Sequence, residues 1–227
     1  VNSLASFSNR SLMGSEQETW LYDTLSESKN RGAVWRVVGQ QIVFTQLNES
    51  DAFDLDAWDG YRANRQRVLD HLYENDISNT VILAGDSHAN WVSDLAHPND
   101  STTYDPVTGE GAIGVEFAGT AVTSGTSFGS GLQPQDADAI SRSFVDTDTN
   151  LNLQWSEGYY RGFFTLTIDP QSINATYYAM RNVSTPNLDA FVSAQFIVEA
   201  GANKLKRPVG GGAKNIKAGA LKINGTD

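Results

Sequence analysis

Three histidines occur among 227 residues, and one of them, His88, follows Asp86 by two positions at the end of the apolar run Thr80-Val-Ile-Leu-Ala84. A carboxylate and a neutral imidazole are good ligands for iron, zinc or manganese, whereas calcium prefers oxygen. On a loop, a two-residue spacing lets both side chains converge on one ion. The same residues also suit a plain turn, with Asp86 accepting backbone N–H groups and His88 facing solvent. His71, in a helical stretch, and His97, before Pro98, are weaker candidate ligands. Glu116 lies inside the apolar segment 112–120, which places it at a sheet edge or beside a cation. Arg161, next to Gly162, suits either a phosphate contact or an exposed strand position. Ser124 and Ser127 invite a serine-nucleophile reading, but no G-x-S-x-G elbow surrounds them.

These residues need elements to hold them. Ser15-Glu-Gln-Glu18 has the form of a capping box that opens a helix. Trp20, Leu21 and Leu25 would form its apolar stripe, with Asn30 and Gly32 as stop signals. Segments 33–38 and 41–47 are rich in β-branched residues and predict two short strands. Residues 51–76 begin as a loop and become a helix, with Tyr61, Arg65, Val68, Leu69 and Leu72 on one face. Residues 80–84 then predict a strand buried on both faces. A helix followed by such a strand is half of a βαβ unit, and ligands gather beyond the carboxyl ends of strands in open sheets. Gly85-Asp86-Ser87-His88 occupies that position. Downstream, 112–120 predicts a strand, 121–131 a Ser/Gly loop and 134–144 a helix. Residues 158–182 predict a hairpin turning at Asp169-Pro170-Gln171, and 191–201 a last strand.

Composition narrows the function. The net charge of −11 disfavours nonspecific nucleic-acid binding. Residues 204–227 carry Lys204, Lys206, Arg207, Lys214, Lys217 and Lys222 against Asp227, which leaves 10 basic and 26 acidic residues, a charge of −16, elsewhere. A body this acidic suits cations. With no cysteine, disulfides and thiolate zinc sites are excluded. Six N-x-[ST] sequons, at Asn9, Asn48, Asn99, Asn174, Asn182 and Asn224, point to a secreted glycoprotein. No stretch approaches the roughly 20 apolar residues of a membrane span. The chain starts at Val1, with no signal peptide, which predicts processing or an absent upstream part. Residues 1–200 are expected to fold, and 201–227 to form a Gly/Lys-rich flexible tail.

The ordered series "SLMGSEQETWLYDTL", "VWRVVGQQIVFTQL", "AWDGYRANRQRVLDHL", "VILAGDSHANWVSDL", "GVEFAGTAVTSG" and "RGFFTLTIDPQSINATYYAM" resembles the PhoD-like alkaline phosphatases, a branch of the calcineurin-like metallophosphoesterases. The resemblance runs from about Arg10 to Glu199 and implies an α/β fold: part of a β-sandwich flanked by helices, with a mixed sheet. It implies hydrolysis of phosphomonoesters or phosphodiesters with iron and calcium, zinc or manganese being the other candidate ions. Asp86 and His88 match the late G-D-x-H motif that supplies metal ligands, with His88 the catalytic candidate. Asn90 and Trp91 would lie beside the site. Asp59 and Tyr61 match a W-D-G-Y motif near the cleft. Their alternative reading is a helix-start cap and a core tyrosine. The family's earlier metal motifs should precede Leu12-Met13-Gly14, where only about a dozen residues stand, so the chain reads as the C-terminal half of such an enzyme. An upstream segment, in the same polypeptide or as a companion chain, would complete the site. Without it, strand 80–84 is expected to expose an apolar face. The contrasting reading is an acidic, glycosylated binding or structural module, or an inactive proteolytic fragment.

Overall fold

The computed structural model describes residues 2–49, 52–97, 103–146 and 148–209. Two sheets pack face to face. The larger contains β1 (Arg36–Gly39), β2 (Thr80–Ala84), β3 (Asn90–Ala96), β4 (Ala112–Ala118) and β5 (Leu153–Glu157), in the order β1-β2-β4-β3-β5. β1, β2 and β4 run parallel, and β3 is antiparallel to both β4 and β5. The smaller is an antiparallel meander of β6 (Arg161–Ile168), β7 (Ser172–Met180) and β8 (Ala190–Glu199). Alternation decides which side chains meet. Val81, Val92, Val115, Phe117 and Trp155 of the larger sheet pack on Ile173, Ala175, Tyr177, Phe196 and Val198 of the smaller one.

The opposite face of the large sheet carries α1 (Ser15–Asn30), α2 (Arg62–Glu74) and α3 (Pro134–Val145). Val68 and Leu69 of α2 meet Ile82 and Leu95, while Phe144 and Val145 of α3 meet Trp91 and Leu153. The result is a mixed α/β sandwich with helices on one side. β2 has a paired strand on each edge, and Val81 and Ile82 are buried. The expected exposure of strand 80–84 is therefore corrected, because β1, β4, the small sheet and α2 already enclose it.

Several local expectations also change. Gly14, at φ 75°, is the N-cap of α1, and no side-chain cap bond is made. Ser11 Oγ accepts from Gly14 N at 2.7 Å, while Glu18 pairs with Arg67 at 2.7 Å. Trp20 is 61% exposed, so only Leu21 and Leu25 carry the inward stripe. Segment 41–47 is not a strand. It is a buried strap whose backbone N–H groups find side-chain acceptors: Glu116 takes Phe44 N and Thr45 N, each at 2.7 Å. Glu116 is fully buried on the central strand, not at an edge, and its carboxylate receives two amides. β3 and β5 were not expected from the sequence.

The chain after Gly201 does not leave the body at once. Leu205 and Val209 are buried in the sandwich core. Arg207 bonds the fully buried Asp94 at 2.6 Å, and Leu205 N donates to the same carboxylate at 2.8 Å. Residues 201–209 are thus part of the body and not of the expected tail; residues 210–227, with Asn224, lie outside the described residues, as does Asn99.

Candidate functional site

The segment Gly85–Ala89 connects β2 to β3, yet those strands are not neighbours. β4 lies between them, with Ala118 in register with both Ala84 and Trp91. The connection therefore straddles the carboxyl end of β4, a span of about 10 Å at ordinary strand spacing. It does so with Asp86 at φ 70° and His88 at φ 58°. This left-handed region is costly for most residues, and Asp and His are among the few non-glycine types enriched there. Gly85 N donates to Gln41 O at 3.2 Å, which ties the base of the loop to the strap, and within the loop Ser87 N donates to Gly85 O at 2.9 Å. Both Asp86 and His88 end up exposed at the strand ends.

The chain leaving β4 returns along this loop and grips it. Gly119 N donates to Ala84 O at 3.0 Å. Thr120 Oγ1 donates to the His88 carbonyl at 3.1 Å. His88 Nδ1 lies 3.0 Å from Gly125 O. A carbonyl can only accept, so Nδ1 carries the proton and the lone pair of the neutral ring sits on Nε2. A backbone carbonyl on one ring nitrogen is the usual way a protein orients an imidazole whose other nitrogen binds metal.

Asn90 and Trp91 sit behind the loop and are buried. Asn90 accepts from Thr120 N at 2.9 Å and donates to Glu157 Oε2 at 3.0 Å. Trp91 Nε1 donates to Ser87 Oγ at 2.8 Å, and its ring packs on Phe128 and Phe144. Glu157 is also buried, and its other oxygen accepts from Tyr159 N and Tyr160 N. Burial raises this carboxyl to about 7, against the lowering pull of those amides, Asn90 and Arg161. Arg161 is 6% exposed, neither a solvated strand residue nor open to a phosphate. Its guanidinium donates to Ser124 O at 2.8 Å, Gly158 O at 3.0 Å and Tyr159 O at 3.3 Å. Residues with alternating polarity gave no sign of Glu157 or Thr120 in this role.

The W-D-G-Y segment is bonded to the strap, through Trp58 to Gln40 and Val43 and through Asp59 to Leu47. Trp58–Tyr61 form a 3-10 turn ahead of α2. Asp59 is 2% exposed; it bonds Arg65 at 2.7 Å and accepts from Leu47 N at 3.0 Å. Tyr61 lies under the Arg10 guanidinium, 4.3 Å from its ring centroid. His71 stacks on Tyr22, and His97 bonds Asp70 at 2.8 Å and stacks on Tyr73. His97 follows β3, at the end of that strand opposite the loop.

Among the described residues, no three His, Cys, Asp or Glu side chains converge so as to hold a metal. Asp86 and His88 offer one carboxylate and one bare imidazole nitrogen. That donor pair fits part of a metal site and leaves the remaining ligands to come from elsewhere.

A model of the PhoD-like phosphatase family matches residues 2–177. Alkaline phosphatase D of Bacillus subtilis (strain 168) is 34% identical over 204 residues, 88% of this chain and 32% of that protein. A solved structure of PhoD is 33% identical, with a TM-score of 0.70, over 91% of this chain and 38% of that one. The chain spans about a third of the length of the curated relative it matches.

Proposed function

The chain belongs to the PhoD-like phosphatase family, and on that premise we propose that it supplies part of a metal-dependent phosphoric ester hydrolase. The observation that carries the reading is the Asp86–His88 loop at the strand ends, with the His88 proton fixed on Gly125 O. In this reading Asp86 and the Nε2 atom of His88 hold a metal ion, iron or calcium by the family resemblance. Such an ion supplies positive charge that polarises a phosphoryl oxygen and makes a water molecule a stronger nucleophile. The residues of this chain hold the ligands still. Thr120 and Gly125 fix His88 at its carbonyl and its ring, and Asn90 and Trp91 support the loop from behind.

Two donors fill only part of the coordination shell of a metal ion, so in this reading an upstream segment completes the site. An open sheet edge supports this: β1 is the outermost strand, and Val37 on it is 40% exposed. Beside it runs an apolar groove lined by Met13, Trp20, Leu21, Val38 and Trp58. Secretion is supported by the sequons, of which Asn9 and Asn182 are exposed. No helix of the described residues is long and apolar enough to cross a membrane.

The test is made on the enzyme that includes the upstream segment. His88→Ala abolishes phosphoester turnover and lowers metal content per protein. Full turnover in that variant removes the reading. Mass spectrometry of the natural material, intact and as peptides, shows whether polypeptide preceding Val1 accompanies this chain in equal amount.

A further inference from the structure

The metal-facing side of His88 depends on the loop at 119–125, and that loop is exposed at Ser124 and Gly125. A loop rich in Ser and Gly does not hold one carbonyl in place unless something fixes it. Two buried charged residues do so. The peptide preceding Gly125 is anchored by Arg161, whose guanidinium donates to Ser124 O at 2.8 Å. The other end of the loop is anchored through Glu157: its carboxyl binds Asn90 Nδ2, and Asn90 Oδ1 binds Thr120 N.

These two residues share a further task. Glu157 ends β5 and Arg161 begins β6. The connection between them leaves amides and carbonyls without strand partners. Glu157 takes the N–H groups of Tyr159 and Tyr160, while Arg161 takes the carbonyls of Gly158 and Tyr159. The turn is thus locked from both sides, and Arg161 cannot swing away without breaking three bonds. Its Nε, buried and without a partner, faces no competing acceptor.

We propose that Arg161 and Glu157 are positioning residues for His88, acting through residues 119–125 to hold the ring in the Nδ1–H tautomer with Nε2 bare. The functional meaning of this rests on His88 being a metal ligand, but the tautomer itself does not.

The test is nitrogen NMR of the histidine rings in the full 227-residue chain, without metal, at about pH 8.5, where a free imidazole is neutral. His71 and His97 pack in other parts of the fold and report on its integrity. In the wild type, His88 is in the Nδ1–H form. In Arg161→Met, the Nε2–H form becomes the major one while the His71 and His97 signals stay in place. Arg161→Lys, which keeps one donor, stays closer to the wild type. Glu157→Gln keeps the size of the side chain but sets an amide nitrogen against Asn90 Nδ2, which cuts the path to Thr120 N; it gives a partial shift in the same direction and serves if Arg161→Met does not fold. The inference is overturned if wild-type His88 is in the Nε2–H form, or if a folded Arg161→Met leaves it unchanged. If Arg161→Met loses the fold, an unchanged Glu157→Gln spectrum overturns it. In the assembled enzyme, Arg161→Met lowers metal affinity about 10- to 100-fold, the usual effect of removing support behind a ligand. A tautomer shift in a protein whose His88→Ala variant keeps full turnover would sustain the positioning role and sink the phosphatase reading instead.

Discussion

Replacing Asp59 by Asn separates a structural role for the W-D-G-Y segment from a role in substrate binding. Asp59 and Arg65 are 2.7 Å apart, with each side chain only 3% exposed. Asn keeps the size and can still accept from Leu47 N, but it removes the charge that faces the guanidinium. Breaking a buried pair in this way costs about 3–5 kcal/mol, because the remaining charge stays buried. Arg65 retains Phe44 O at 3.3 Å and Gln46 Oε1 at 2.9 Å, so the lower end, about 3 kcal/mol, is expected. For a chain of this size that is a fall in Tm of about 6–12 °C. Thermal melting by far-UV circular dichroism measures it. The double variant Asp59→Asn with Arg65→Met loses less than the sum of the two single changes, because neither charge is then left alone. Turnover in the assembled enzyme, assayed well below the melt, keeps its KM. A Tm within about 1–2 °C of wild type together with a raised KM would refute this reasoning and place Asp59 on the substrate.

Glu157 gives the stability a pH dependence. Its folded value, about 7, lies above the ordinary 4.5. Its contribution is therefore complete below about pH 4.5 and is lost as pH rises through about 7, a change of about 3 kcal/mol. Urea unfolding at about pH 4.5 and 8.5 should show wild type losing that much relative to Glu157→Gln; equal slopes would contradict the assignment. Arg207→Met leaves the Asp94 carboxylate buried and unpaired, at a cost of about 3–5 kcal/mol, and speeds hydrogen exchange at the Leu205 amide, which shares that carboxylate. Protection at Leu205 equal to wild type would show that the C-terminal segment is held by other contacts. In Gly60→Ala the new Cβ would overlap Leu55 O, a backbone atom that cannot rotate aside; a loss of about 1–3 kcal/mol is expected by chemical denaturation, and an unchanged midpoint would show that the turn relaxes freely.

Elements with a plain hydrophobic period were legible in the sequence. The strand at 80–84, the helix after Tyr61, the hairpin through Asp169 and the last strand all fold where their apolar residues predict. The errors share a cause. β3 and β5 carry Asn90, Ser93, Asp94, Gln154, Ser156 and Glu157, all buried. Asn90, Asp94 and Gln154 find partners distant in sequence, namely Glu157, Arg207 and Tyr104, the Ser93 and Ser156 hydroxyls have none, and no local pattern announces such burial. The 41–47 strap fails in the opposite sense. Its β-branched residues suit a strand, but Glu116 and Asp59 bind its amides, so it needs no neighbouring strand. At the candidate site, the spacing of Asp86 and His88 was legible because both lie on one short loop. Their supports were not, because Gly125 O and Thr120 act on His88 from a loop more than thirty positions away.

The insertion of β4 between β2 and β3 also bears on the order in which the protein is made. Asp86 and His88 leave the ribosome well before the strand they must bridge, and long before the arginine at the start of β6. Until those later segments arrive, the gap between β2 and β3 is unfilled and nothing holds two residues in a strained backbone region. A nascent chain truncated before Arg161 would have Asp86 and His88 but not the supports that set their geometry. On the reading proposed above, capture of an ion by these two residues follows closure of the sheet.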